Sequence, residues 1–198
     1  MFGLGMGIAA CLVIVKYIDF EASYDNFHAN SEKLYRVTRQ TELASGEKKP
    51  PIVVTSYGLE PALVSLNLPE VNGSIRIHPM YGGCVVSYQG SGAEARAFHE
   101  KKMILADSTF LRAFTFETII SQSETALDRP NSIVITKSVA AKYFGKDDPI
   151  GKTLKLTGGW GAMAEYLVSA VIENVPGNSH FDFRIPSANS QSIFARSI

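Results

Sequence analysis

Gly145-Lys-Asp-Asp-Pro-Ile-Gly151-Lys152-Thr153 is the stretch whose residue types first suggest chemistry. A glycine loop ending in Lys-Thr can cradle phosphates on its backbone amides while the lysine and threonine hold phosphate and metal. The spacing argues against that reading. Five residues separate the glycines where the phosphate loop needs four, Pro149 removes an amide donor, and Asp147 and Asp148 would repel phosphate. Such a loop also opens a helix, whereas Lys152 to Thr157 reads as a strand, so a structural turn is expected. His28, His78, His99 and His180 lie far apart and in no metal-ligand spacing, which predicts isolated surface or core histidines. Cys11 and Cys84 make neither a disulfide framework nor a zinc site, and the serines lack a G-x-S-x-G context. Dispersed Asp and Glu read as solvated surface. No catalytic constellation emerges, so neither enzymatic activity nor a cofactor is expected.

The 198 residues are enough for one domain with a real core. At 19% charged residues the chain is neither disordered nor a charge-rich coiled coil. Nineteen basic residues balance 19 acidic ones without a basic run, which excludes a nucleic-acid binder. The distribution is uneven, because Phe2 to Val15 carries no charge and leads into Lys16, Tyr17 and Ile18. As helix, Phe2 to Ile18 is roughly 25 Å long, nearly the hydrocarbon thickness of a bilayer. A cleaved signal would have a basic start and a small-x-small site, and Phe20-Glu21-Ala22 fails that pattern. Ile8-Ala9-Ala10-Cys11 is similar to a lipobox, yet Leu12 to Val15 keep the apolar run going. A buried core helix is disfavoured by Gly3, Gly5 and Gly7. The favoured reading is a transmembrane helix with a G-x-x-x-G face at Gly3 and Gly7 and with Lys16 and Tyr17 at the interface.

Beyond residue 18 the balance is 18 basic against 19 acidic. Leu34 to Leu43 reads as a strand, ended by Ser45-Gly46 and Pro50-Pro51. A helix capped by Ser56 should run to about Asn67, with Leu59, Leu63 and Leu66 on one face and Pro61 near its first turn. Val71 to His78, Cys84 to Tyr88 and Ala95 to Leu105 read as three strands, separated by Pro79/Gly82-Gly83 and Gly90/Gly92 turns. Asp107 or Ser108 can cap a short helix bearing Phe110, Leu111 and Phe114. Ser132 to Thr136 reads as a buried strand, and Thr136 as the cap of a helix KSVAAKYF that stops at Gly145. Lys152 to Thr157 and Tyr166 to Val175 read as strands around a glycine loop at Trp160; HFDFRIP is extended, and SANSQSIFARSI has no clear element. The order of elements indicates an α+β layer.

Two stretches carry a family resemblance. Phe20-Glu21-Ala22-Ser23-Tyr24-Asp25-Asn26-Phe27-His28 follows the apolar helix and precedes Leu34-Tyr35-Arg36-Val37, which resembles the start of the extracytoplasmic domain in FtsX-like permeases. Pro130-Asn131-Ser132-Ile133-Val134-Ile135-Thr136, then Ala140-Ala141-Lys142-Tyr143-Phe144-Gly145 and Asp148-Pro149-Ile150-Gly151-Lys152, resembles the later part of the MacB-like periplasmic core domain of the same ABC transporter family. The resemblance spans roughly residues 5 to 185 and implies a transmembrane helix over 1–19, its start left open. A mixed α/β extracytoplasmic domain over 20–198 follows, porter-like with a smaller inserted subdomain, and cut short at its C-terminal end where relatives continue to three more membrane helices. The implied function is that of a permease subunit in the cell inner membrane, its main domain periplasmic, which transmits motion from a cytoplasmic ATPase for export or extraction of a substrate. The implied partners are that ATPase subunit or domain, a second permease and a periplasmic adaptor. A secreted or lipid-anchored binding module is the alternative. The residues themselves suggest scaffold roles: Phe20, Tyr24, Phe27, Leu34 and Tyr35 packing a rigid junction between helix and domain, and Phe144, Gly145, Pro149 and Gly151 fixing the turn between the last helix and the next strand.

Overall fold

The computed structural model describes residues 2–90, 95–121, 124–158 and 161–188. The apolar N-terminal run forms helix α1, Phe2–Ala22, whose described flanks are exposed from end to end. It extends past Ile18, and its 21 residues make about 31 Å, a full hydrocarbon thickness. Two side chains end it by capping its last carbonyls: Ser23 Oγ donates to Phe20 O at 2.7 Å and Asn26 Nδ2 to Ala22 O at 2.5 Å. Asp25 then turns the chain in the left-handed region at φ 56°.

The remaining elements are a 3₁₀ turn at Ser31–Lys33, α2 (Leu59–Ser65), β1 (Ile77–Pro79), β2 (Cys84–Tyr88), β3 (Arg96–Glu100), β4 (Met103–Ala106), α3 (Phe110–Ala113), β5 (Thr118–Ile120), β6 (Ser132–Thr136), α4 (Lys137–Phe144), β7 (Thr153–Gly158), β8 (Gly161–Ile172) and β9 (Ile185–Ala188). The strands join in the order β1-β4-β9-β6-β8-β7-β2-β3, with β5 on the end of β8. β6 and β8 pair in parallel, linked through α4 and β7, and β4 and β9 also pair in parallel. β6, with the sequence Ser-Ile-Val-Ile-Thr, is buried on both faces, as a central strand covered on both sides requires.

This order cannot be flat. β3 and β4 stand six strand spacings apart, roughly 29 Å in a flat sheet, yet the chain from Glu100 to Met103 reaches at most about 11 Å. The sheet therefore curls until β1–β4 and β2–β3, two halves of one bent hairpin, meet at a corner. There Met80 N–H bonds Met103 O at 2.9 Å and Gly83 N–H bonds Met80 O at 3.1 Å. Across the curl, β9 and β6 share a single antiparallel residue pair, Ile133 with Ser187.

Two cores result. One lies inside the curl, where Val139, Tyr143 and Phe144 of α4 meet Val86, Met103, Ile133, Ile135, Leu154, Val168 and Ile185. The second lies on the opposite face, built from Ile104, Phe110, Leu111, Phe116, Leu127, Val134, Ala170, Ile172 and Phe183. Glu100, 3% exposed at the corner, is bonded by Lys142 Nζ and by Tyr143 OH at 3.0 Å. Burial, and next the Glu100 carboxylate, push the Tyr143 phenol up, and the same two causes push the Cys84 thiol up to about 11. Cys84 is thus an inert core thiol, 3.2 Å from Met103 Sδ.

Several sequence expectations are corrected. Leu34 to Leu43 is no strand: it keeps only isolated bridges, Arg39 with Ile52 and Glu42 with Lys48, because a lone two-stranded ribbon has no face to bury. α2 is shorter than 56–67, with Gly58 rather than Ser56 at its N-cap. It buries no residue fully and is held by Arg76, which pairs with Asp107, lies 3.8 Å from Glu60 and stacks on Tyr57. Asp107 spends its carboxylate on Arg76, so α3 begins without a side-chain cap. Val71 to His78 yields strand only from Ile77, and Ala95 to Leu105 is broken by the corner at Lys101-Lys102. Tyr166 to Val175 is part of a longer strand that ends at Ile172, and β5 was absent from the sequence reading. The Thr136 hydroxyl faces Ser138 Oγ, and it is Asn174 Oδ1 that caps α4 by accepting from Ser138 N–H at 3.1 Å. Gly92, Trp160 and the SANSQSIFARSI segment after Ala188 lie outside the described residues.

The corner generates a prediction. A Cβ on Gly83 would stand 2.1 Å from Glu100 O and 2.8 Å from Lys101 Cα, at φ +69°. Gly83→Ala should cost more than about 2 kcal/mol, combining left-handed strain with a backbone clash. Urea denaturation of the chain in detergent measures it; an unchanged midpoint would mean that the corner relaxes freely.

Candidate functional site

The Gly145–Thr153 turn is built for shape. α4 stops at Gly145, φ 67°, and Phe144 is buried edge-on against Tyr88, ring centroids 4.5 Å apart. Asp148 Oδ1 accepts from Ile150 N–H and Pro149 O from Lys152 N–H. Gly151, φ 74°, donates its N–H to Val168 O at 2.9 Å, which docks the turn on β8. Lys152, the lysine a phosphate loop would need, lies 3.4 Å from Asp147 and over the rings of Phe144 and Tyr88, and the strand β7 follows it. All four residues, Phe144, Gly145, Pro149 and Gly151, lie in or beside the connection between α4 and β7.

The second constellation is the joint where α1 meets the domain. Asp25 and loop 173–184, which leads into β9, clasp each other. Asp25 N–H donates to Asn178 O at 3.0 Å, and Asn178 Nδ2 donates to Ser23 O at 3.1 Å and Ser23 Oγ at 3.0 Å. Asp25 Oδ1 accepts from Ser179 Oγ at 2.7 Å and His180 N–H at 3.1 Å, while Oδ2 meets His180 Nδ1 at 2.7 Å. The left-handed backbone of Asp25 aims both its N–H and its carboxylate at the same loop. Behind the clasp, Ala29 N–H bonds Thr115 Oγ1 and Asn30 Nδ2 bonds Ala113 O, tying the chain to the loop after α3.

Aromatic rings complete the joint. Phe20 meets Tyr24 edge-on at 5.4 Å, Tyr24 meets His180 at 5.0 Å, and Phe27 reaches Phe116 at 6.2 Å on the margin of the second core. His28 is buried among Phe27, Phe114, Phe116 and Phe181. Tyr35 does not join them: it is 88% exposed, because the chain leaves the domain surface after the 3₁₀ turn, and Leu34 is only half buried. Phe20 and Tyr24 thus touch each other, Phe27 packs separately toward Phe116, and Tyr35 stands apart.

The sequence assigns no side-chain role to Ser23, Asp25, Asn178 or Ser179, and it reads His180 as an isolated histidine. The nearest signal was the Pro176-Gly177-Asn178-Ser179 turn before the HFDFRIP segment, whose partner 153 residues upstream has no local trace. Burial by itself would raise the Asp25 carboxyl, but the Ser179 hydroxyl, the His180 ring and the His180 N–H together hold it below the usual carboxylate range. Among the described residues no group of three His, Cys, Asp or Glu side chains could hold a metal ion.

The sequence profile of the MacB-like periplasmic core domain matches residues 1–197. No curated protein matches the chain. Among solved structures, a domain of a protein described as a permease of Porphyromonas gingivalis shares the fold at 21% identity, covering 76% of this chain and 60% of its own length, with a TM-score of 0.55. The periplasmic region of MacB from Actinobacillus actinomycetemcomitans aligns at 12% identity over 63% of this chain and 52% of its own length, TM-score 0.44. The extracellular domain of the noncanonic ABC-type transporter YknZ from Gram-positive bacteria aligns at 14% identity over 56% and 52%, TM-score 0.36. The chain thus spans little more than half the length of these structures.

The clasp carboxylate has a defined pH signature. A depressed folded pKa means that Asp25 stabilises the clasped state above its unfolded value of about 3.9, and that this stability is lost as pH falls through the lower folded value. Carboxyl NMR titration of Asp25 should give a midpoint below about 3.9, and Ser179→Ala should move it upward by removing a donor to Oδ1. An ordinary midpoint that ignores Ser179→Ala would mean that the clasp does not persist in solution.

Proposed function

This chain belongs to the family of MacB-like periplasmic core domains, and from that premise we propose that it is the membrane-anchored, extracytoplasmic part of an ABC transporter permease. In this reading α1 crosses the inner membrane, and the domain beginning at Ser23 stands outside it. The exposed surface of α1, uncharged from Gly3 to Val15, supports the first point, since such a surface is stable in lipid and costly in water. Because the helix runs through Cys11 to Ala22 without interruption, spanning is favoured over a lipid anchor at that cysteine.

The observation that carries the functional reading is the clasp between Asp25 and Asn178–His180. Movement of α1, driven by nucleotide hydrolysis in a cytoplasmic ATPase partner, passes through residues 23–28 into loop 173–184 and on into β9. That strand pairs with β4 on one side and β6 on the other, so a displaced loop moves the sheet rather than a surface strap. The chain's own residues supply stiffness, and a partner must supply the energy, because a displacement is useful only between states of different free energy. A second permease copy and a periplasmic adaptor complete the proposed assembly, which exports or extracts a substrate.

Two measurements test this reading. Alkaline extraction should leave the expressed chain in the membrane pellet, and its appearance in the supernatant would remove α1 as a span. In the full-length permease with its ATPase, Asn178→Ala with Ser179→Ala removes side-chain bonds worth about 1 kcal/mol each, favouring an open joint by roughly tenfold or more. Export should drop while ATP hydrolysis persists. Normal export at normal membrane abundance would show that coupling runs elsewhere.

A further inference from the structure

His28 lies at the root of α1, 2% exposed, with the rings of Phe27, Phe114, Phe116 and Phe181 centred 4.1 to 6.0 Å away. Its Nδ1 is 3.1 Å from the carbonyl oxygen of Thr115. A carbonyl only accepts, so Nδ1 carries the ring proton and Nε2 presents a bare lone pair. Among the described residues Nε2 has no hydrogen-bond partner, and Asp25 Oδ1 lies 3.9 Å away. Two acceptors therefore face each other at the edge of an apolar pocket, an arrangement that a single proton reverses.

We propose that His28 is a proton switch in the joint: protonated at Nε2, it becomes a donor that competes for Asp25 Oδ1 with Ser179 and His180, and so releases loop 173–184 from the end of α1. Oδ1 now holds Ser179 Oγ at 2.7 Å and His180 N–H at 3.1 Å. A bond from Nε2 requires an approach of about 1 Å, which draws the carboxylate off its present donors or the ring out of its pocket. Staying put is no alternative, because a cationic ring whose new Nε2–H is left unbonded beside phenylalanines is strongly disfavoured.

The titratable groups around the ring are few. On its own turn there is Asp25. Loop 173–184 brings His180, which holds the other oxygen of that carboxylate, and Asp182, which is paired with Lys102. The loop after α3 packs Phe114, Thr115 and Phe116 against the ring, and its ionisable residue, Glu117, is exposed. Burial lowers the imidazole pKa, only partly offset by the Thr115 carbonyl and by Asp25. The released form thus takes up a proton that the clasped form refuses, and the clasp weakens as pH falls below the ordinary histidine value of about 6.5. His180 Nδ1, 2.7 Å from Oδ2, holds the carboxylate against that pull. The carboxylate's own loss lies below about pH 3.9, so the two windows are separate.

The switch goes beyond the transport reading and needs only the joint, so the full chain in lipid nanodiscs is sufficient to test it. Amide exchange at Asp25 and His180, corrected for the intrinsic pH dependence, is compared from about pH 7.5 to about pH 5, the span in which histidine titrates. Protection should fall severalfold in the unmodified chain, fall again in His180→Asn, and stay constant in His28→Asn, whose amide can still donate to Thr115 O but takes up no proton. Constant protection in the unmodified chain, or a fall that survives His28→Asn, overturns the proposal. Ring nitrogen shifts of His28 in the unmodified chain give a measure independent of whether the variant folds. A ring that stays neutral while the clasp opens also overturns it.

Discussion

The two short links between Pro79 and Cys84 and between Glu100 and Met103 constrain everything else in the domain. Each joins strands at opposite ends of the strand order, so neither can close unless the sheet curls. The curl turns one face inward over α4 and leaves the other to be covered by α3 and the phenylalanine-rich loops, which is why β6 is buried on both sides and two separate cores form. The corner is held by close backbone approach at Gly83 and by the bonds of Lys142 and Tyr143 to Glu100. Because Glu100 is buried, removing either donor would leave a poorly compensated charge, and the pair therefore specifies the corner more than it stabilises the fold.

The joint brings the end of a terminal helix against the loop that feeds a central strand. β9 lies between β4 and β6, and the loop that feeds it passes directly beneath the end of α1. Contacts of two kinds share the work there. Phe27 and His28 anchor the chain in the second core through non-directional burial, while Ser23 and Asp25 bond the loop in one register through directed hydrogen bonds. Burial supplies strength and the hydrogen bonds supply geometry. Polar bonds also place titratable groups, Asp25 and His180, in the joint itself, which apolar packing alone would not do.

The sequence by itself determined the long apolar helix, because an uncharged run of that length has few stable fates, and the segment Ser132–Gly145, where a strand of apolar residues meets a helix ended by glycine. It also determined that Lys152 belongs to a turn, since Pro149, the two aspartates and the following strand pattern are local facts. Strand pairing, the curl and the clasp were decided only by tertiary structure. Leu34 to Leu43 has β-forming residues but no neighbour to pair with beyond its own ribbon, and Tyr35 is aromatic but points from a segment that has left the surface. Local propensity cannot register either fact, because strand stability depends on what lies across the sheet. Asp25 and Asn178 are ordinary turn residues in sequence; what joins them is the path of a chain that returns after 153 residues, and that path is fixed by how far two-residue and four-residue corners can reach.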